Sequence, residues 1–360
     1  MRLPLPPKIQ PSHEVLTLIA AIDEFKGEWR AKGDLGPHAM QALRRIATIE
    51  SAGSSTRIEG ARLDDREVAR LLANLGRESF QSRDEEEVAG YAHAMETVQS
   101  AWAELRISEG ILLQLHRDLL RYSGKDERHR GQWKTRDNHV AAFDTEGREV
   151  GIVFQTASPF ETPGLMEALL AWHAKEEADA VLHPLLRIAV FQIVFLAIHP
   201  FQDGNGRLSR VLTNLMLLRG GYAYVSYISL ESVVEHSKEA YYLALRRTQT
   251  SFDGEADWEP WILFFLRALR SQIKRLSDRL KEPGSADHRF FPDDLSPLAG
   301  RLLVLLRERG TLSVSGAVAA LDANRNTLKD KFAELVRAGH ATPHGKGRGA
   351  HYRPAYRPPA

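Results

Sequence analysis

The segment LHPLLRIAVFQIVFLAIHP, from Leu182 to Pro200, limits the fold of this chain more than any other. Its residues are apolar on nearly every side of a 3.6-residue period, so a helix formed there has no face to give to water and needs other helices around it. Its end is equally sharp. The residue before a proline is driven out of the helical region, so the helix stops near His199 and leaves that side chain at a rigid rim. The 360 residues, 43% of them hydrophobic, offer ample material for the surrounding core and for more than one domain.

Amphipathic patterns supply the partners. They run through HEVLTLIAAIDEFKGEWRAK, PHAMQALRRIATIESAGSSTRIEG, DREVARLLANLG, DEEEVAGYAHAMETVQSAWAEL and SEGILLQLHRDLLRYSG, the last with a serine start and a Gly124 stop. They return in PGLMEALLAWHAKEE, GRLSRVLTNLMLLRGG, SKEAYYLALRRTQ and WEPWILFFLRALRSQIKRLSDRL. Between Arg130 and Pro163 the pattern breaks, and the short runs HVAAF and GIVFQ predict a small β-hairpin turning near Glu146-Gly147. KEPGSADHRFFPDD then reads as a linker. The expected division is an N-terminal helical region at 1–110, a core at 111–280, a linker at 281–295 and a small domain at 296–360.

Charge and cysteine content exclude several classes. Lys and Arg number 48 against 47 Asp and Glu, so any basic surface must be local. With no cysteine there is no disulfide, thiolate metal site or cysteine nucleophile. The start, MRLPLPPKIQPSHEV, lacks an apolar leader core, and no run of about 18 apolar residues occurs, so a cytoplasmic protein without a membrane span is expected.

The chemistry concentrates just past the apolar helix, in HPFQDGNGRLSR, residues 199–210. Gly204-Asn205-Gly206 accepts unusual backbone angles and lets N–H groups approach a ligand. The next helix begins there, and its N-terminus is an anion site before any side chain is counted. Arg207 and Arg210, three residues apart on one face, present two guanidinium forks suited to a polyphosphate. Asp203 is placed to hold Mg2+ on the same phosphates, since magnesium takes one or two carboxylates plus phosphate oxygens. His199 is the candidate general base.

HPFQDGNGRLSR resembles the signature of the Fic family, His-Pro-Phe-x-Asp/Glu-Gly-Asn-Gly-Arg-x-x-Arg, at every specified position. YYLALRRTQTSFDGEADWEPWILFFLRAL and SAGSSTRIEG resemble further family segments, so the likeness covers roughly residues 1 to 280. It implies an all-α fold, a Fic-type helical bundle with a small β-hairpin flap, that transfers AMP from ATP to a hydroxyl of a target protein with Mg2+. By that resemblance His199 is the base on the target hydroxyl, Phe201 the apolar anchor of the loop and Asp203 the magnesium ligand. Gly204, Asn205, Gly206, Arg207 and Arg210 bind the phosphates. Tyr241 and Tyr242 match a pair near the nucleotide base, although a tyrosine pair on a helix also serves as core packing. Where some relatives carry asparagine, this chain has Thr248 and Gln249. The hairpin falls where the family has a flap that holds the target by strand pairing; read on its own it is a surface hairpin.

STRIEG, Ser55 to Gly60, fits the family's inhibitory pattern, Ser/Thr-x-x-x-Glu followed by Gly or Asn. On its residues alone it is a helix end, with Ser55 and Glu59 on one face and Gly60 as C-cap. The resemblance implies that Glu59 pairs with Arg210 and takes the place of the ATP γ-phosphate.

SPLAGRLLVLLRERG, TLSVSGAVAALD and NRNTLKDKFAELVRAGH followed by ATPHGKGRGAHYRP resemble a winged helix-turn-helix. From 296 to 360 there are eleven Lys and Arg against four Asp and Glu, so basic surface collects here. Asn324, Arg325, Asn326, Thr327 and Lys329 would lie at the start of a recognition helix facing duplex DNA. The other use of such a domain is protein contact or a homodimer. Three functions follow: an autoinhibited protein adenylyltransferase acting on a target protein or itself, a nucleotide-responsive DNA-binding regulator whose core senses ATP, and removal of AMP from a modified target.

Overall fold

The computed structural model describes residues 3–31, 37–75, 79–138, 140–143, 149–281, 295–321, 323–345 and 350–355. The expected turn at Glu146-Gly147 lies outside them, as does the expected linker apart from its end residues. The chain divides into two compact units, Met1–Leu276 and Ser277–Ala360.

The first unit is helical. In chain order it contains α1 (His13–Ala31), α2 (Pro37–Ile58), α3 (Asp65–Ala73), α4 (Arg83–Ala101), α5 (Glu109–Leu119), the strands β1 (Val140–Phe143) and β2 (Glu149–Phe154), then α6 (Thr162–Asp179), α7 (Pro184–Ile198) and α8 (Asn205–Arg219). A 3-10 turn (Ala223–Tyr227), α9 (Leu230–His236), α10 (Lys238–Thr250) and α11 (Glu259–Lys281) follow, the last running past the division at Leu276. The all-round apolar segment does what its pattern requires: every residue of α7 from Leu185 to Ile198 is buried. It packs against α6 and α8, and α8 in turn against α4, α5 and α2. Among the described residues no helix is long and apolar enough to cross a membrane.

Helix ends follow local chemistry. Asp64 and Glu67 form a reciprocal capping box at α3, each side chain accepting from the other's backbone N–H. Ser108 caps α5, as its sequence predicts, but the helix stops at Leu119 rather than at Gly124. The chain after it is taken up by a turn in which the Ser123 hydroxyl donates to Asp126 at 2.6 Å.

Buried polar groups tie the helices together. The Glu231 carboxylate, 1% exposed, accepts from Ser51 of α2, Tyr91 of α4, Asn214 of α8 and Ser229, at 2.7 to 3.0 Å. Arg57, one turn before Gly60, donates to Glu235 of α9 at 2.6 Å and to Asp65 at 2.9 Å. The end of α2 is therefore clamped from two sides. β1 and β2 form the expected antiparallel hairpin, Val140 opposite Phe154 and Phe143 opposite Glu149, with two irregularities in register.

The second unit holds α12 (Pro297–Arg309), α13 (Val314–Leu321), α14 (Arg325–Arg337) and an antiparallel pair, β3 (Ala341–His344) and β4 (His351–Pro354). Leu302, Leu306, Leu328, Phe332 and Leu335 form its core, and Phe332 stacks on Tyr352 with ring centres 3.9 Å apart. Leu312 and Tyr352 exchange both backbone hydrogen bonds, at 2.9 and 2.8 Å, which seats the hairpin on the helices.

Candidate active site

The loop between α7 and α8 is built from its own residues first. His199, the C-cap of α7, lies in the left-handed region at φ 54°, ψ 59°, a conformation costly for a residue with a side chain; Pro200 after it only bars the right-handed helical region. Phe201 is fully buried, stacked on His116 at 3.8 Å and tilted against Trp133 at 4.9 Å. Asn205 accepts from the Phe201 N–H at 2.8 Å and donates to its carbonyl at 2.7 Å. Its side chain thus bridges both polar groups of the Phe201 backbone and closes the loop. Gly204 sits at φ 80° as the N-cap of α8, a conformation that suits glycine.

His199 is half-buried, and its Nδ1 lies 3.2 Å from the Leu196 carbonyl. A carbonyl only accepts, so Nδ1 carries the proton and Nε2 is the bare, basic nitrogen. Burial, aided by the charge of Lys134 and opposed by that hydrogen bond, lowers its pKa to about 4. The imidazole is therefore a neutral base at pH 7.

Arg207 and Arg210 do not work as one pair of forks. Arg210, 4% exposed, donates to the Ser55 hydroxyl at 2.8 Å, the Ser55 carbonyl at 2.9 Å and Glu59 Oε1 at 2.8 Å. Burial works against the Glu59 charge, but the Arg210 guanidinium more than offsets it and holds the carboxyl below its ordinary range. A Cβ placed on Gly206 would collide with that carboxylate, so Glu59 lies against the N-terminus of α8. Gly60 follows at φ 107°. Thus Ser55, Glu59, Gly206 and Arg210 come together across 151 residues of sequence.

Arg207, by contrast, belongs to a closed ring of charges. It pairs with Asp203 at 3.0 Å and Glu87 at 2.9 Å, and Arg83 pairs with Glu87 at 2.7 Å and Asp203 at 2.8 Å. Burial opposes ionisation of Asp203, yet Arg207, the Gly204 N–H and Arg83 keep its carboxyl below the ordinary range. Among the described residues no group of three or more His, Asp or Glu gathers as a metal site. A single carboxylate still fits magnesium, an ion held largely by phosphate oxygens and water. Nη1 of Arg210 and Nε of Arg207 are buried donors without a hydrogen-bond acceptor among the described residues, a donor set that fits a phosphate.

Tyr241 is buried between Trp261 and Phe264, with ring centres at 5.8 and 5.7 Å, and lines a small cavity with Arg210, Gln192 and Thr213. Tyr242 is 42% exposed and its hydroxyl donates to the Ile58 carbonyl at 3.4 Å. The two rings nevertheless meet edge to face, with centres 5.1 Å apart.

His116, Arg83, Glu87, Lys134 and Asn138 carry no motif and were missed by sequence reasoning. His116 accepts the Gly131 N–H on Nδ1 at 2.8 Å, so its Nε2 bears the proton and donates to the Asp203 carbonyl at 3.0 Å. Burial lowers its pKa to about 4. Since the folded value lies below the ordinary 6.5, stability is complete above about pH 6.5 and is lost as pH falls toward 4, at about 1.4 kcal/mol per unit for the one group. The melting temperature of the wild-type chain should fall between pH 7 and 5, and His116→Asn should shrink that fall. An equal fall in both proteins would remove His116 from the account.

Residues 106–217 match the Fic/DOC family. The chain is similar to a probable protein adenylyltransferase of Aquifex aeolicus, 31% identical over 90 residues, 25% of this chain and 27% of that protein. It is also similar to the protein adenylyltransferase Fic of Drosophila grimshawi, 26% identical over 228 residues, 63% of this chain and 42% of that protein. The matches thus span well under half the length of these relatives. Among solved structures, a Fic family protein from Desulfovibrio desulfuricans G20 shares the fold at a TM-score of 0.61 and 23% identity, over 98% of this chain and 99% of that one. A Fic domain containing signaling protein from Bacteroides thetaiotaomicron does so at 0.55 and 24%, over 74% and 98%. The likeness to the Fic/DOC family is carried by residues 106–217.

Proposed function

We propose that this chain is an autoinhibited protein adenylyltransferase. The observation that carries the reading is a neutral histidine, bare at Nε2, on the loop that opens the N-terminus of α8, beside two buried arginines with donors to spare. His199 takes the proton of a target hydroxyl, the hydroxyl oxygen bonds to the α-phosphorus of ATP, and the bond from that phosphorus to pyrophosphate breaks. Arg207, Arg210 and the N–H groups of Asn205 and Gly206 hold the phosphates, and Gly204, whose own N–H is given to Asp203, lets them approach the loop. Asp203 holds Mg2+, which neutralises phosphate charge when bound. Tyr241 and Tyr242 flank the nucleotide, and the β1–β2 hairpin pairs with the target segment.

The brake is Glu59, with Ser55 and Gly60 shaping its approach. Its carboxylate occupies Arg210 at the helix N-terminus, where the outer phosphate of ATP belongs. Incubating the chain and its Glu59→Gly variant with a cell lysate and ATP labelled on the α-phosphate tests the whole reading. Label on protein, stronger with the variant, is expected; no label with either protein contradicts transfer and favours a sensor.

The second reading, a regulator that binds duplex DNA, rests on α14. Asn324, Arg325, Asn326, Thr327 and Lys329 are exposed at its start, and Arg325 and Lys329 make no ion pair among the described residues. If this second unit is a winged helix on DNA, affinity of the full chain should fall steeply with salt. The double change Arg325→Ala with Lys329→Ala should then lower the log–log salt slope by about 2, one per lost phosphate contact. An unchanged slope, or no binding, moves the unit to protein contacts or a homodimer.

A further inference from the structure

The segment 134–138, just before the hairpin, grips the catalytic loop by its backbone. The Lys134 ammonium donates to the Ile198 carbonyl at 3.1 Å and the Lys134 N–H to the Pro200 carbonyl at 2.8 Å. Asn138 donates to the Phe201 carbonyl at 2.6 Å and, at 3.5 Å, to that of His199. The carbonyls on both sides of His199 are therefore held by one residue, Lys134.

The other contacts of that ammonium are Asn138 Oδ1 at 2.8 Å and Thr156 Oγ at 3.0 Å, so its three donors meet three neutral acceptors. Asn138 precedes β1 and Thr156 follows β2, which means the same group joins both feet of the hairpin to the end of α7. Lys134 is 3% exposed and makes no ion pair with a carboxylate among the described residues. A buried cation without a counter-ion is costly, and a merely structural link here would be cheaper with a neutral side chain.

We infer that Lys134 is a positioning residue for His199, fixing the seat of the imidazole and coupling it to the hairpin that receives the target. This rests on the adenylyltransferase reading for its purpose, and on geometry for its existence. Charge adds to position. Lys134 repels a proton on His199, while Glu59 and Asp203 attract one. Lys134 itself is lowered to about 8, by burial against the weaker pull of Asp137 and Glu161. The ammonium therefore favours the neutral imidazole below about pH 8.

The test uses the full chain in three variants, Lys134→Met, Lys134→Gln and Lys134→Arg, with two readouts. NMR titration of the His199 imidazole is the first. Met and Gln should raise its pKa by on the order of one unit, and Arg should leave it low. Adenylyl transfer, measured with Glu59→Gly in the background, is the second. Met and Gln should lower kcat roughly tenfold to hundredfold with little change in KM for ATP, and Arg should rescue most of it. Glutamine keeps two donors for the loop carbonyls, so it reports on charge even if the methionine variant does not fold. An unmoved His199 titration in Lys134→Gln, or a KM for ATP that rises in step with the loss of kcat, overturns the inference. If no protein transfers label, the transferase reading fails, and the titration still decides the role of Lys134.

Discussion

Replacing His199 by alanine is expected to lower adenylyl transfer by about a hundredfold to ten-thousandfold, the usual contribution of a positioned base. Nucleotide binding should change little, because the proposed mechanism has the imidazole act on the incoming hydroxyl and leaves the phosphates to Arg207, Arg210 and the start of α8. The pH dependence gives a second handle. With its pKa lowered to about 4 by burial, His199 is already a base at neutral pH. The rate should therefore not fall between pH 7.5 and 6 on its account, whereas an ordinary histidine near 6.5 would lose more than half of its basic form over that range. Rapid-quench rates across this range, together with ATP affinity by calorimetry, check both statements. Transfer at an undiminished rate in His199→Ala would remove it as the base.

Removing the brake should have an effect of similar size and opposite sign. The Glu59 carboxylate is 2.8 Å from Arg210 and seated over Gly206, and under the proposed brake ATP has to displace it. Glu59→Gly frees the guanidinium, and transfer should rise about tenfold to thousandfold. Binding of ADP, which lacks the γ-phosphate, should change much less. Combining Glu59→Gly with Arg210→Ala should lose most of the gain, a non-additivity expected of residues that share one contact. A helix-end role alone predicts a lower melting temperature and no rise in rate. If the domain removes AMP, the same variant slows removal and modified target accumulates. Initial rates in both directions on one preparation separate the three outcomes.

What could be read from the chain divides along a physical line. The loop at residues 199–210 was legible because proline, glycine and arginine act there over a few bonds, and a helix apolar on all sides can only be central. Glu59 was legible as a degenerate pattern, though its partner lies 151 residues away and only the fold joins them. The charge ring was not legible. Arg83 and Asp203 are 120 residues apart, His116 and Asp203 are 87, and no local rule connects either pair. Lys134 looked like one lysine among many in a polar stretch, and only its burial beneath the loop gives it meaning. Asn205 and Arg207 lie in the first turn of α8, and the sequence could not tell that one closes the loop before it and the other balances two carboxylates.

The proposed function requires this site to move AMP, with His199 as base and Glu59 as brake. The most direct measurement incubates the Glu59→Gly chain and a lysate with ATP labelled on either the α- or the γ-phosphate, beside the double variant Glu59→Gly with His199→Ala. The account predicts protein-bound label from the α-phosphate alone, lost in the double variant. Label arriving from the γ-phosphate, or α-label that persists without His199, would contradict it.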